Sequence, residues 1–399
     1  AQISAESLLM PDVRNVLSEA TRLQQDKAND ERIKALARKV RYDPGEYYIL
    51  GMKPIGHDTH VSIVDRHGAV VFEAEEERFI RKKHAGNLPL HSILAGLRQC
   101  SIHPAQVRYI AFSFSVDEYT KAASQWEAYY RQHNLQPKQM QMVRAALVNA
   151  ERYRIQERYF KSLFPNARVY HVKHHLAHCA GAFYSSPFRR SAILSVDGHG
   201  EFETVMLARG ENDRIEQLKS IGSPHSLGTL YQSITYWLGL GSRQEGKTMG
   251  LSSYGDPTVY YKHFRDHIIN IDLNTGLFEI NPEMIDLEGV FIYDHTRYDA
   301  IFDLHHKMDT KNPQPEFAHV AAALQRITEE IVVGLAKHLR EISGEEYLCM
   351  TGGVALNSVA NGLVLRNNYY RDVCIHPAAH DGGTGLGAAL HVYYRHVPD

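Results

Sequence analysis

One pattern occurs twice in this chain and limits its fold more than any other feature. Tyr48-Ile49-Leu50-Gly51 reads as a strand followed by a short loop; His60 to Asp65, a turn at Arg66-His67-Gly68, and Ala69 to Ala74 then read as a hairpin. The same grammar returns as Ser191 to Val196, the loop Asp197-Gly198-His199-Gly200, Thr204 to Ala208, a turn at Arg209 to Asn212, and Ile215 to Lys219. Two copies predict two like subdomains closing a cleft, with both first loops pointing into it. The length agrees, since 399 residues exceed a single typical core.

The expected fold is therefore α/β and duplicated, as in actin and the sugar kinases. We expect a helical extension over 1–46, with Val13, Val16, Leu17, Ala20 and Leu23, and later Ile33, Leu36 and Val40, at helical spacing; subdomain I over 47–190; and subdomain II over 191–399. Helices are expected around 90–100, 117–162, 228–239 and 317–342. Residues 256–316 lack clear periodicity and read as an irregular insertion. Lys plus Arg is 44 against Asp plus Glu 46, which removes any whole-chain argument for nucleic-acid or anionic-membrane binding. No run approaches a membrane span, and no signal peptide is read at the start. Cys100, Cys179, Cys349 and Cys374 stand far apart without a CxxC, so a reducing cytoplasm is the expected setting. Nothing in the sequence sets the oligomeric state.

Histidine is abundant, 24 in 399, and it clusters at His171, His174, His175 and His178. His174 and His178 are four apart in an Ala-rich, helix-compatible segment, which puts both rings on one face, able to grip one cation. An isolated HxxxH is commonly just two helix histidines; four histidines within eight residues favour a site. His175 stands where a zinc protease needs Glu, so that chemistry is not expected. The carboxylates best placed to complete the site are Asp197, right after a strand, and Asp381, in the last glycine loop.

Three glycine-rich turns follow strands, at Asp197-Gly198-His199-Gly200, Thr351-Gly352-Gly353 and Asp381-Gly382-Gly383-Thr384-Gly385. Together they point to a nucleotide or phosphoryl-bearing ligand. Gly241 to Thr248 fits the P-loop pattern letter for letter, with Lys247 in the phosphate-binding place, but its upstream residues Leu230, Ile234 and Leu238 have helical rather than strand spacing. Gly383 to Ala388 mimics a dinucleotide fingerprint too near residue 399 for the rest of that fold. His57-Asp58 occupies the place of Asp197-Gly198 in the first copy. It reads either as a base toward a substrate hydroxyl or as a surface-loop pair. The run Glu75-Glu76-Glu77-Arg78 to Arg81-Lys82-Lys83-His84 is a charge ladder on a solvated face, or a basic group beside a phosphate.

Taken together, His57-Asp58, the Glu75 to His84 run, His174-His175-Leu176-Ala177-His178, Val196-Asp197-Gly198, Gly246 to Leu251, Gly352 to Asn357 and Asp381 with its glycines closely resemble the O-carbamoyltransferases of antibiotic biosynthesis and nodulation. That family includes the tobramycin, cephamycin and novobiocin carbamoylating enzymes. The likeness runs over about residues 47–390, and it turns the P-loop mimic into a family motif. More distantly, the HxxxH and terminal Asp resemble the tRNA threonylcarbamoyl-transfer subunit and the hydrogenase-maturation carbamoyltransferase. The resemblance implies a carbamoyl adenylate, made from carbamoyl phosphate and ATP, and a metal, iron foremost, held by His174, His178, Asp197 and Asp381. It implies His57 with Asp58 as the base toward a small hydroxylated metabolite, Lys83 as an electrostatic partner, and Gly198, Lys247, Gly352, Gly353, Asn357 and Gly382 as nucleotide contacts. It also implies a YrdC-like domain that these residues lack, so the activated donor is expected from a separate YrdC-like protein or from the rest of a longer chain. His60 stands where the family has a small residue. The alternatives are a P-loop NTPase or phosphotransferase, and a non-catalytic nucleotide-binding partner of the same fold.

Overall fold

The computed structural model describes residues 27–133, 140–286, 293–294, 296–308 and 314–397. Val13 to Leu23 of the expected extension lie outside them. The first half comprises α1 (Lys27–Leu36), β1 (Tyr48–Lys53), β2 (His60–Asp65), β3 (Val70–Glu75), α2 (Glu77–Ile80), α3 (Leu90–Gln99), β4 (Val107–Phe112), α4 (Val116–Gln132), α5 (Gln141–Leu163), β5 (Arg168–His171) and α6 (His174–Tyr184). The second comprises β6 (Arg190–Val196), β7 (Glu203–Glu211), β8 (Arg214–Gly222), α7 (Leu227–Trp237), α8 (Glu245–Ser252), α9 (Thr258–His263), β9 (Ile269–Ile271), β10 (Phe278–Ile280), α10 (Thr296–Phe302), α11 (Pro315–Ser343), β11 (Tyr347–Thr351), α12 (Ser358–Arg366), β12 (Asp372–Ile375) and α13 (Thr384–His396).

The two large sheets have the same design. Their orders are β3-β2-β1-β4-β5 and β8-β7-β6-β11-β12. In each, an antiparallel meander is extended by two strands parallel to its first. This is the duplicated actin-like topology. The central strand β1 is apolar and buried over Ile49 to Met52 and ends on the buried Lys53, whereas the edge strands β3 and β8 stay partly exposed. The long helix α11 starts with Pro315 in its first turn and ends on Gly344 at φ 70°, and its stripe of Val320, Leu324, Ile327, Ile331, Leu335 and Leu339 is wholly buried.

The structure fills in three parts of the expected organisation. The described part of the N-terminal extension is docked, with Ile33 and Leu36 buried in the first core. The described residues of 256–316 include α9, the β9–β10 hairpin and α10, whose Tyr260, Phe278, Tyr298 and Phe302 enter the second core. These elements are too short for periodicity to show. The boundary at 190 also separates helices from the sheets they cover. Cys179, Ala182 and Phe183 of α6 pack on Ile193, Met206 and Cys349 of the second sheet, while Leu386, Ala389 and Val392 of α13 pack on Ile49, Val64 and Ala111 of the first. The two helices cross closely, and a Cβ on Gly387 would lie 1.8 Å from the Ala177 carbonyl oxygen. Among the described residues, no helix is long and apolar enough to cross a membrane.

Candidate functional site

Strands β1, β4, β5, β6, β11 and β12 run parallel within their sheets, and the loops after them converge. His174 and His178 stand one turn apart at the start of α6, Asp197 follows β6, and Asp381 lies between β12 and α13. All four are buried, and one ligand atom from each lies within 4.8 Å of every other. His174 Nε2 is 3.2 Å from Asp197 Oδ2 and 3.4 Å from Asp381 Oδ1; His178 Nε2 is 3.6 and 3.5 Å from the same atoms. The two Nε2 atoms are 3.2 Å apart. A four-coordinate ion with bonds of about 2.1 Å spaces its ligand atoms about 3.4 Å apart, so this donor set fits one.

The surroundings orient the donors. His174 Nδ1 donates to the Ser113 carbonyl at 3.3 Å, which leaves the Nε2 lone pair facing the cage. The Thr351 hydroxyl donates to Ala379 O and so accepts from His178 Nδ1 at 3.4 Å. Phe114 stacks on the His174 ring with centroids 4.1 Å apart. Asp197 Oδ1 accepts from the Gly353 amide at 2.8 Å. Buried Glu201 accepts from the amides of His174 (3.2 and 3.1 Å) and Ser115 (2.7 Å), and burial pushes its carboxyl up to about 7. Burial opposes charge on His174, yet Asp381 and Asp197 outweigh it and raise the imidazole to about 10. Burial and Asp381 would raise Asp197, but hydrogen bonds with His174 and His178 hold it well below the usual carboxylate range. Burial would likewise raise Asp381, which Lys53 and His174 hold well below that range. The cage favours positive charge at its centre.

Beside it lies the loop after β1. His57 Nδ1 donates to Asp58 Oδ2 at 2.8 Å, and His57 Nε2 is 3.7 Å from Asp381 Oδ2. His84 Nδ1 donates to Asp58 Oδ1 at 2.8 Å, and the His84 amide donates to Glu77 at 2.7 Å. Burial would raise the Asp58 carboxyl, but His57 and His84 hold it well below its ordinary value.

A cavity of about 440 Å³ joins these parts, lined by His57, Asp58, Lys83, Asp197, Gly198, Gly353, Asn357 and Asp381 together with residues of α7 and α8. Its size is that of an ordinary small-molecule pocket. A larger open groove of about 590 Å³ between α8, α11 and α12 shares only Met249 with it and holds none of these groups. Three expected nucleotide contacts are not in the lining. Lys247 is exposed on α8, which follows a helix and a turn rather than a strand, while Thr248 is buried against Thr235; the P-loop pattern thus stands in the helical context that its upstream spacing indicated. Gly352 and Gly382 serve packing, since a Cβ would meet Val196 O at 2.2 Å and Glu75 Oε1 at 2.3 Å respectively. Sequence reasoning did not single out Lys53, whose ammonium meets Asp381 Oδ2, nor Glu201, nor His380, which donates to Glu75 at 3.1 Å. The only signal for Glu201 was its place at the end of Asp197-Gly198-His199-Gly200-Glu201.

Two like halves around a cleft, with a two-histidine, two-carboxylate cage at its floor, define an actin-like protein with a donor set able to hold a cation beside a ligand cavity. Residues 48–390 match the sequence model of the carbamoyltransferase N-terminus family, and the chain belongs to that family. It is 30% identical over 365 residues to the uncharacterized protein sll1178 of Synechocystis sp., a match covering 88% of this chain and 57% of that one. It is 32% identical over 335 residues to the nodulation protein NolNO of Sinorhizobium fredii, covering 84% and 46%. The chain thus spans about half the length of these curated relatives. Among solved structures, component A of (R)-2-hydroxyglutaryl-CoA dehydratase from Acidaminococcus fermentans superposes with a TM-score of 0.46 at 12% identity, covering 87% of this chain and 98% of that one. HypF of T. kodakarensis superposes with a TM-score of 0.40 at 12% identity, covering 88% and 48%.

Proposed function

We propose that this chain transfers a carbamoyl group from a carbamoyl adenylate to a hydroxyl of a small metabolite, forming a carbamate ester and releasing AMP. The observation that carries the reading is the juxtaposition of the His57–Asp58 pair with the His174, His178, Asp197 and Asp381 cage on one cavity, in a member of this family. A divalent transition metal in that cage, iron on the family resemblance, would supply Lewis-acid neutralisation of phosphate charge. Asp58 holds the proton on His57 Nδ1, so Nε2 is the basic atom facing the cage. As the acceptor oxygen attacks the carbamoyl carbon, Nε2 takes its proton; the carbon–oxygen bond to the adenylate phosphate breaks, and AMP leaves with the electron pair. Lys83 at the cavity wall offsets phosphate charge. The activated donor comes from a YrdC-like module, on a separate protein or on the rest of a longer chain.

The test supplies labelled carbamoyl phosphate and ATP with and without a YrdC-like protein, and follows AMP and labelled hydroxyl compounds. Label on a hydroxyl acceptor that depends on His57 is expected. AMP release without label on any hydroxyl, or full transfer by His57→Ala, would overturn the reading. Replacing His57 by Ala should lower turnover about 10²- to 10⁴-fold, the usual worth of a general base.

A further inference from the structure

The loop that carries His57 and the loop that carries Asp381 are braced from behind by two buried side chains of the first sheet. Lys53 and His60 are direct cross-strand partners on β1 and β2, so they stand side by side on one face. Lys53 Nζ donates to the His57 carbonyl at 2.7 Å and to Asp381 Oδ2. His60 Nδ1 donates to the Asp58 carbonyl at 3.0 Å, and His60 Nε2 accepts from the Gly385 amide at 2.6 Å. Each therefore has one end on a backbone carbonyl of the His57–Asp58 loop and the other on the last glycine loop. Lys53 is 3% exposed and His60 is fully buried. An ammonium and an imidazole in such a place are tolerable only with these bonds made, so the bonds dictate where both loops sit.

We propose that Lys53 and His60 are a matched pair of positioning residues that set the placement of His57 relative to the Asp381 ligand, independently of substrate. The part concerning His57 rests on the function proposed above; the part concerning Asp381 does not. Lys53 leaves Asp381 Oδ1 to face the histidines by engaging Oδ2, and its charge cancels one of the cage's two carboxylates. Neither strut touches the cavity, since neither residue is in its lining.

The test uses the full chain and cobalt(II), whose visible spectrum reports its ligand geometry. In Lys53→Met, confirmed folded by circular dichroism, cobalt affinity should fall about 10- to 100-fold and the visible band should shift, as when a ligand loses its support. His60→Ala should weaken cobalt by a smaller factor and also shift the band. In the fully loaded protein it should lower carbamoyl-transfer kcat about 10²-fold with little change in donor KM, as for a displaced base. His60→Gln, which keeps a donor and an acceptor, should recover part of that loss. Unchanged or tightened cobalt binding with an unchanged spectrum in folded Lys53→Met would overturn the strut to Asp381. A His60→Ala spectrum and kcat both equal to the parent's would overturn the second. If Lys53→Met does not fold, Lys53→Gln, which retains a donor, gives the same readouts. If the parent shows no transfer at all, the proposed function fails, while the cobalt spectra of both variants still decide the struts.

Discussion

His60 accepts the Gly385 amide through Nε2 and donates from Nδ1 to Asp58, so neither nitrogen has room for an added proton. Burial agrees with that geometry and lowers the imidazole to about 4 from 6.5; His391, half-buried on α13, is also lowered to about 4. Between those values the unfolded chain binds more protons than the folded one, so stability falls as pH drops from about 6.5 to about 4 and levels off below. Urea unfolding followed across that window should show a loss of about 3 kcal/mol attributable to His60. The curve of His60→Gln should be correspondingly flatter, and identical slopes would contradict this account. Glu201 offers a second test, because its carboxylate caps the His174 amide that begins α6. Glu201→Gln should reduce zinc occupancy about tenfold, measured by competition with a chromophoric chelator, and unchanged occupancy would show that the amide alone suffices. The cage residues were legible in the sequence because an i,i+4 pair and two strand-end aspartates are local signals. Lys53 and Glu201 were not. A lysine ending a strand reads as solvated, and its partner lies 328 positions away.

At the scale of elements, the repeated strand and hairpin units, the long helix α11 and the terminal helix α13 follow from periodicity and caps. The exchange of α6 and α13 between the sheets does not, because a helix's apolar stripe specifies that it must be covered, not by which sheet. What identifies the partner is shape. Gly51 lies under α13, where a Cβ would meet Gly385 O at 2.0 Å, and Gly387 lies against α6. Gly385 and Gly387 thus belong to packing rather than to a dinucleotide fingerprint. Replacing Gly387 by Ala should destabilise the chain by about 3 kcal/mol, seen as an earlier urea midpoint, since the opposing atom is backbone and has no rotamer to change. A midpoint equal to the parent's would mean that the helices separate without cost.

For the whole molecule, the cage draws its ligands from both sides of the exchange: His174 and His178 from the helix laid on the second sheet, Asp197 from that sheet's own first loop, and Asp381 from the loop leading into the helix laid on the first. Metal binding should therefore stabilise the two halves together. Zinc at about a hundredfold above its dissociation constant should add about 2.7 kcal/mol, so the melting temperature should rise on loading and fall with chelator. Melting insensitive to both would contradict a preformed cage. The close crossing of α6 and α13 has a mechanical consequence as well. Backbone meets backbone there, at Ala177, Gly181 and Gly387, so neither helix can carry a larger side chain at the crossing without pushing the two halves apart. Ala177 and Gly181 share a helix with His174 and His178, and Gly387 lies on the helix that the Asp381 loop leads into, so a change at the crossing reaches the cation-binding residues through their own backbone.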